Sequence, residues 1–322
     1  MIDPQSVYRS IRKEISKVIM GNDELVELVI LAFFAGGHVL IEGAPGLGKT
    51  LLVKTISRIL SLKFHRIQFT PDLMPADIIG TTVVHQTSTG ERVFRFQKGP
   101  IFANLILADE INRATAKTQS ALLEAMGEGS VSIAGKSHQL DQPFFVMGTQ
   151  NPLEMDGTYK LPEAQLDRFL FKIDVPFPPL ETLMQIVATT TSNTEAEVHP
   201  VVDSQTAMEI RRNLREVPIA SHLVELACRL IIATQPGEAE AAPAARRFVA
   251  WGVGPRGLQS LVLAAKAHAW FHGRAHVSEE DLLKMIQPTF RHRILLNFEG
   301  EAEGLSPDEV LMRILDHVRK KG

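Results

Sequence analysis

Gly43-Ala44-Pro45-Gly46-Leu47-Gly48-Lys49-Thr50 has the pattern of a phosphate-gripping turn: Gly, four residues, Gly, Lys, then Ser or Thr. Glycines let backbone N–H groups close around phosphate oxygens, and a helix beginning there adds positive potential. Lys49 has the charge and reach for the β- and γ-phosphates of ATP, and the Thr50 hydroxyl suits Mg²⁺. The expected nucleotide-binding stretch runs from Gly43 through Leu51. A chance Gly-rich surface turn is the plain alternative. An apolar strand before the loop and a periodic helix after it (Leu51, Leu52, Ile56, Ile59, Leu60) argue against that.

Sixty positions after Lys49, Leu105-Ile106-Leu107-Ala108 ends in Asp109-Glu110. Ligands in open α/β sheets bind at the carboxyl ends of strands, where this pair falls. Asp109 is suited to hold Mg²⁺ with Thr50, and Glu110 to orient or deprotonate the attacking water. Such a pair alone is usually a solvated turn; the preceding phosphate loop favours chemistry. A third strand, Phe144 to Gly148, runs into Thr149-Gln150-Asn151, where Asn151 is the candidate sensor of the γ-phosphate. Arg168, in Leu166-Asp167-Arg168-Phe169, is either a structural salt-bridge residue or a stabiliser of transition-state charge at a neighbouring subunit's ATP. Arg256 opens a helix after Gly254-Pro255, where a cation opposes the helix dipole by about 0.3–1 kcal/mol. A nearby anionic ligand would remove that objection.

The elements that must position these groups alternate. Helices are expected at Gln5–Ile19, at Asn22–Ala35 (closed by Gly36-Gly37) and after the loop to about Leu60. Short apolar blocks at His38–Ile41, Phe64–Phe69, Leu105–Ala108, Phe144–Gly148 and Phe169–Val175 read as strands of a parallel sheet covered on both faces. Thr82–Gln86 with Arg92–Phe96, and Ser130–Ala134 with Ser137–Asp141, read as β-hairpins inserted into this α/β core. Surface decoration and a moving contact with a client stand open for both. Strand signals stop at Val175-Pro176-Phe177-Pro178-Pro179, which divides the chain into an α/β nucleotide-binding domain, 1–178, and a helical domain, 179–322. Beyond it only helices are expected, starting at Asp203, Ser221, Pro255, Ser278 and Ser306. The last two have capping-box spacing. Residues 236–245 read as a solvated small-residue loop, and Trp251 and Trp270 as core.

The bulk composition narrows the function classes. A chain of 322 residues with 45% hydrophobic and 22% charged residues is an ordinary soluble protein long enough for two domains. A net charge of −3 offers no field for coating nucleic acid. The lone Cys228 reads as helix core and fits a reducing compartment. The charged start, Arg9 to Lys17, lacks a secretory pattern, and the apolar run Leu28–Ile41 is too short to span a bilayer, so a cytoplasmic protein is expected. The 11 histidines show no metal-ligand spacing, and Arg291-His292-Arg293 reads as a solvated helical face rather than a contact to an acidic patch.

The five elements, in this order and spacing, resemble the AAA+ ATPases. Longer blocks resemble the MoxR family: Gln68–Val83, Gly99–Met126, Gly148–Phe171 and Arg291–Gly304. The resemblance implies a P-loop AAA+ core with a C-terminal all-helical lid. It makes Gly43–Thr50 Walker A, Asp109-Glu110 Walker B, Asn151 sensor 1, Arg168 the arginine finger and Arg256 sensor 2, acting in cis or in trans. The hairpins become the helix-2 and pre-sensor-1 insertions. It further implies ATP/ADP and Mg²⁺ as ligands and a homo-oligomeric ring, expected to be a hexamer. The ring would remodel, mature or insert cofactors into client protein complexes in a chaperone-like way, with a von Willebrand factor A-domain protein as partner. An ATPase subunit of a metal chelatase and a nucleic-acid-translocating ring remain the alternatives.

Overall fold

The computed structural model describes residues 3–44, 46–86, 92–133, 135–151, 159–191 and 196–321. In chain order its first elements are α1 (Pro4–Ile15), α2 (Asp23–Ala35), β1 (Val39–Glu42), α3 (Lys49–Ile59), β2 (Phe64–Gln68) and α4 (Pro75–Ile79). The hairpin strands β3 (Gly80–Gln86) and β4 (Arg92–Lys98) follow, then β5 (Leu105–Asp109) and α5 (Ala116–Glu128). A second hairpin, β6 (Ser130–Ile133) and β7 (Lys136–Gln139), leads to β8 (Phe145–Gln150), α6 (Glu163–Leu166) and β9 (Phe171–Asp174).

Five of these strands form one parallel sheet in the order β2-β5-β8-β1-β9. Successive strand side chains point to opposite faces, and the two hydrophobic clusters divide accordingly. Val39, Ile41, Leu105, Leu107, Phe145 and Met147 pack with α1, α2 and α3. Leu40, Ile106, Ala108, Val146 and Phe169 pack with α4 and α5. Burial on both faces explains why the strands are continuous apolar runs. Both hairpins are antiparallel, and β3–β4 is longer at its base than its sequence suggests, pairing Gly80 with Lys98. They touch each other through the rings of Phe96 and His138, 4.6 Å apart. The turn at 87–91 and Ala134 lie outside the described residues.

The rest is mostly helical: α7 (Leu180–Thr190), α8 (Ser204–Arg215), α9 (Ser221–Thr234), α10 (Pro243–Phe248), α11 (Pro255–Phe271), α12 (Glu279–Phe290), α13 (Phe298–Ala302) and α14 (Pro307–Lys321). Asp203 caps α8 through Thr206 N–H, and Ser278 forms a full capping box with Asp281. Ser306 and Glu309 bond reciprocally before α14.

Several sequence expectations are corrected. A short antiparallel ribbon, β10 (Val249–Trp251) with β11 (Leu295–Leu296), interrupts the helices and holds Trp251 at 68% exposure, while Trp270 is buried. Helix α1 stops at Ile15 because Ser16 turns back, its hydroxyl donating to the Lys13 carbonyl at 3.0 Å. Only the first half of 236–245 is an exposed turn; Ala241, Ala242 and Ala245 are buried where α10 begins. Helix α7 carries little local signal in the sequence, because no side chain caps it and its apolar residues Leu180, Met184 and Val187 face outward. Cys228 is half-buried rather than core.

Candidate nucleotide site

Strand order builds the site. β8 lies between β5 and β1, so the carboxyl ends of three neighbouring strands deliver Asp109-Glu110, Asn151 and the phosphate loop along one sheet edge. Asn151 is buried one residue past β8, whose Gln150 carbonyl accepts from Gly43 N–H at 3.4 Å.

In the loop, Gly46 and Gly48 have φ of 83° and 75°. L-residues with side chains rarely adopt this region, so these positions need glycine for backbone reasons alone. Gly48 is the N-cap residue of α3, which puts Lys49 and Thr50 in the first helical turn. The Lys49 ammonium donates to the Gly43 carbonyl at 2.7 Å. Burial lowers its pKa, opposed by the charges of Asp109, Glu110 and Glu42. Ala44, Leu47 and Leu51 belong to the same loop and helix start, whereas Pro45 lies outside the described residues.

Thr149 ties the acidic pair together. Its hydroxyl donates to Asp109 Oδ1 at 2.6 Å and accepts from the Glu110 N–H at 2.9 Å. Glu110 itself adopts the left-handed conformation, φ 55°. Gln68 Nε2 donates to Glu110 Oε2 at 2.7 Å, Arg113 pairs with the same oxygen at 3.0 Å, and Arg66 Nε donates to Asp109 Oδ2 at 3.0 Å. Thr149, Arg66 and Gln68 were missed in the sequence. Their positions at strand ends were legible, but not which carboxylate each would meet.

Arg168 stands apart from this edge. Its guanidinium donates to the Leu123 carbonyl of α5 at 2.5 Å and lies against Gly127, where a β-carbon would approach within 2.1 Å of it. Arg256, exposed at the start of α11, is 3.9 Å from Asp167 Oδ2. The anion expected near that helix start is therefore, in this structure, the protein's own carboxylate.

Arg291-His292-Arg293 is not a solvated face. Arg293 is buried, donating to Asp167 Oδ1 at 2.7 Å and to the carbonyls of Phe169 and Leu170 at 2.7 and 3.2 Å. His292 meets the Phe169 carbonyl at 3.1 Å, and Arg291 bridges Asp174 and Asp308. This segment clasps the chain on either side of Arg168.

A phosphate loop on a parallel sheet, with two acids at the end of the next strand but one, defines a P-loop ATPase. The profile of the ATPase family associated with various cellular activities (AAA) matches residues 38–171, and that of the AAA lid domain residues 241–314. Chaperone MoxR1 of Mycobacterium tuberculosis is 40% identical over 95% of this chain and 80% of its own length. Protein MoxR of Paracoccus denitrificans is 29% identical over 93% of this chain and 92% of its own length. A crystal structure of a candidate ATPase from Cytophaga hutchinsonii superimposes with a TM-score of 0.89 at 39% identity, covering 97% of this chain and 94% of that one. The chain belongs to the MoxR family of AAA+ ATPases, and it is a nucleotide-binding ATPase with a helical lid following its α/β core.

Proposed function

We propose that this ATPase is a Mg²⁺-dependent, ring-forming remodeller of client proteins, acting in the cytoplasm and in a chaperone-like way. The observation that supports the chemistry best is the shared sheet edge, where Asp109, Glu110, Asn151 and the Gly43–Thr50 loop converge across β5, β8 and β1. Lys49 and the loop N–H groups, with Ala44, Pro45, Leu47 and Leu51 alongside, hold the phosphates. Thr50 and Asp109 offer the oxygen donors that a hard cation such as Mg²⁺ prefers, so the residues fit the ion. When bound, Mg²⁺ would offset phosphate charge. Glu110 takes the proton of the attacking water, its backbone held through Thr149. Asn151 reads the γ-phosphate, and Arg168 serves the ATP of an adjacent subunit, with Arg256 closing from the lid.

The division at residue 178 separates the core from the lid in this reading, although one hydrophobic cluster runs through both. The exposed apolar residues Phe177, Leu180, Met184 and Val187 support assembly, which we take to be a homo-hexamer. None of the described helices is long and apolar enough to cross a membrane. The client role rests on the resemblance to a relative named a chaperone; a von Willebrand factor A-domain protein is the proposed partner.

Glu110→Gln tests the proposal, since the amide keeps the shape but cannot act as a base. The variant should bind Mg²⁺-ATP, lose turnover and retain client and partner proteins in an ATP-dependent affinity capture. Near-normal steady-state hydrolysis would remove Glu110 from the mechanism, and capture indifferent to ATP would remove the remodelling role.

A further inference from the structure

Glu27 of α2 and the pair His268 and His272 of α11 meet away from the nucleotide edge. The histidines are four residues apart, so one helical face presents both. Glu27 Oε1 lies 3.7 Å from His268 Nε2 and 3.6 Å from His272 Nε2, and the three groups can place one atom each within 4.8 Å of one another. Hydrogen-bonded pairs close to about 2.7–3.2 Å. Two ligands on one tetrahedral ion, each bonded at about 2.0–2.1 Å, stand about 3.3–3.5 Å apart. The observed separations suit the second arrangement better.

Each imidazole is also oriented for it. His268 Nδ1 faces Asp281 Oδ1 at 2.5 Å, and His272 Nδ1 faces the His268 carbonyl at 2.8 Å. The Asp281 carboxylate is the nearer neighbour of His268 Nδ1, with Arg274 Nη2 at 3.0 Å; protons on the two Nδ1 atoms leave both Nε2 lone pairs toward Glu27. His268 is buried, and its Nε2 has no hydrogen-bond partner. A buried lone pair facing a carboxylate oxygen is unfavourable unless something positive lies between them. A carboxylate behind a ligating histidine, as Asp281 stands behind His268, is the usual support for a metal-bound imidazole. Lys284 engages the other oxygen of Glu27 at 2.9 Å, and Tyr8 also neighbours this carboxylate. His272 is partly exposed and provides an entry path.

We propose that Glu27, His268 and His272 bind a divalent transition-metal ion of the zinc class, with water as fourth ligand. Two imidazoles and one carboxylate suit zinc and its neighbours rather than Mg²⁺, so the ion differs from the one at the nucleotide. It would fasten α2, under the sheet, to α11, whose first turn carries Arg256. The positive charges of Lys284 and Arg274, paired with Glu27 and Asp281, hold its affinity below that of an all-anionic site.

The test uses full-length, chelator-treated, nucleotide-free protein titrated with Zn²⁺ and, separately, Co²⁺. One equivalent should bind per chain. Co²⁺ should give the visible absorption of a four-coordinate ion, lost when Zn²⁺ is added, and Zn²⁺ should raise Tm. Glu27→Gln and His272→Ala, which leave the His268–Asp281–Arg274 cluster in place, should each weaken binding at least tenfold, while Asp109→Ala should keep the cobalt spectrum. No saturable uptake by the wild type would overturn the proposal and make the cluster an imidazolium–carboxylate ion pair. So would unchanged affinity in both ligand variants, or loss of the spectrum in Asp109→Ala.

Discussion

At the scale of single residues, the site depends on side chains that make no chemistry themselves. Thr149 spends its hydroxyl proton on Asp109 and its lone pair on the Glu110 backbone, and so couples the two acids. His38 is the structural counterpart beneath the sheet. It is buried, accepts from Val146 N–H at 3.0 Å through Nδ1 and faces the Met126 carbonyl at 3.2 Å through Nε2. Burial pushes its pKa down to about 4 from the ordinary 6.5, with Arg211 adding to the effect. A depressed histidine contributes stability that is full above the unfolded-state pKa. Between pH 6.5 and about 4 the unfolded chain binds the proton first, so stability falls with pH, by up to about 3 kcal/mol for this group. Burial lowers His292 in the same direction. Urea unfolding across that range should show a steeper loss in the wild type than in His38→Gln. Equal slopes would mean His38 is not held neutral.

Elements set where those residues can act. Helix α5 carries Gly127 where the Arg168 guanidinium lies against it, and a methyl group there forces the arginine off the helix. Gly127→Ala should raise intrinsic helix stability by up to about 1 kcal/mol, because the displaced atom is the end of a flexible side chain. Turnover should nonetheless fall while nucleotide affinity stays, if Arg168 acts from this seat. A thermal-shift assay alongside steady-state hydrolysis reads both, and full activity in a stable variant would detach the seat from the function. The hairpin β3–β4 is the other element with a separable role. Its described residues supply no group to the phosphate edge, and it exposes Val84, Val93 and, at 80%, Phe94. Solvated apolar side chains on a projecting ribbon suit a protein contact. Deleting its outer residues should leave basal hydrolysis intact and abolish stimulation by a client or partner. Collapse of the fold on deletion would make it structural.

For the whole molecule, the decisive question is what completes Arg168. Asp167 beside it is held by the buried Arg293 from the turn after α12, so the lid fixes the base of the loop that carries it. A finger arginine supplied in trans is worth about 10³–10⁵ in rate, or roughly 4–7 kcal/mol of barrier, far beyond an exposed ion pair. Arg168→Ala should fold and bind ATP yet lose most turnover, and wild-type specific activity should rise with concentration as rings form. Mixing Arg168→Ala with Glu110→Gln subunits should restore part of the activity, because some interfaces then pair an intact Glu110 with an intact Arg168. Mixed rings that stay inactive would return Arg168 to a structural role.

The parts legible in the chain were those whose signals are local. Gly46, Gly48 and Lys49 announce the loop because backbone sterics and phosphate geometry act within eight residues. The strands announce themselves because burial on both faces demands apolar runs, and Ser278 and Ser306 because a cap needs its partner three residues on. The positions of Asp109, Glu110 and Asn151 at strand ends could be read in the same way. Their convergence could not, because it follows from the order β5-β8-β1, which is a matter of pairing between segments far apart in sequence. The same holds for Thr149 between two acids and for Arg293, a cation whose burial is tolerable only because Asp167 and two distant carbonyls surround it. It holds as well for Glu27 with His268 and His272, brought together across more than 240 residues by the packing of α2 on α11. Local chemistry was written into the order of residues, whereas which charges met, and which stayed exposed like Trp251, was decided only when the helices closed over the sheet.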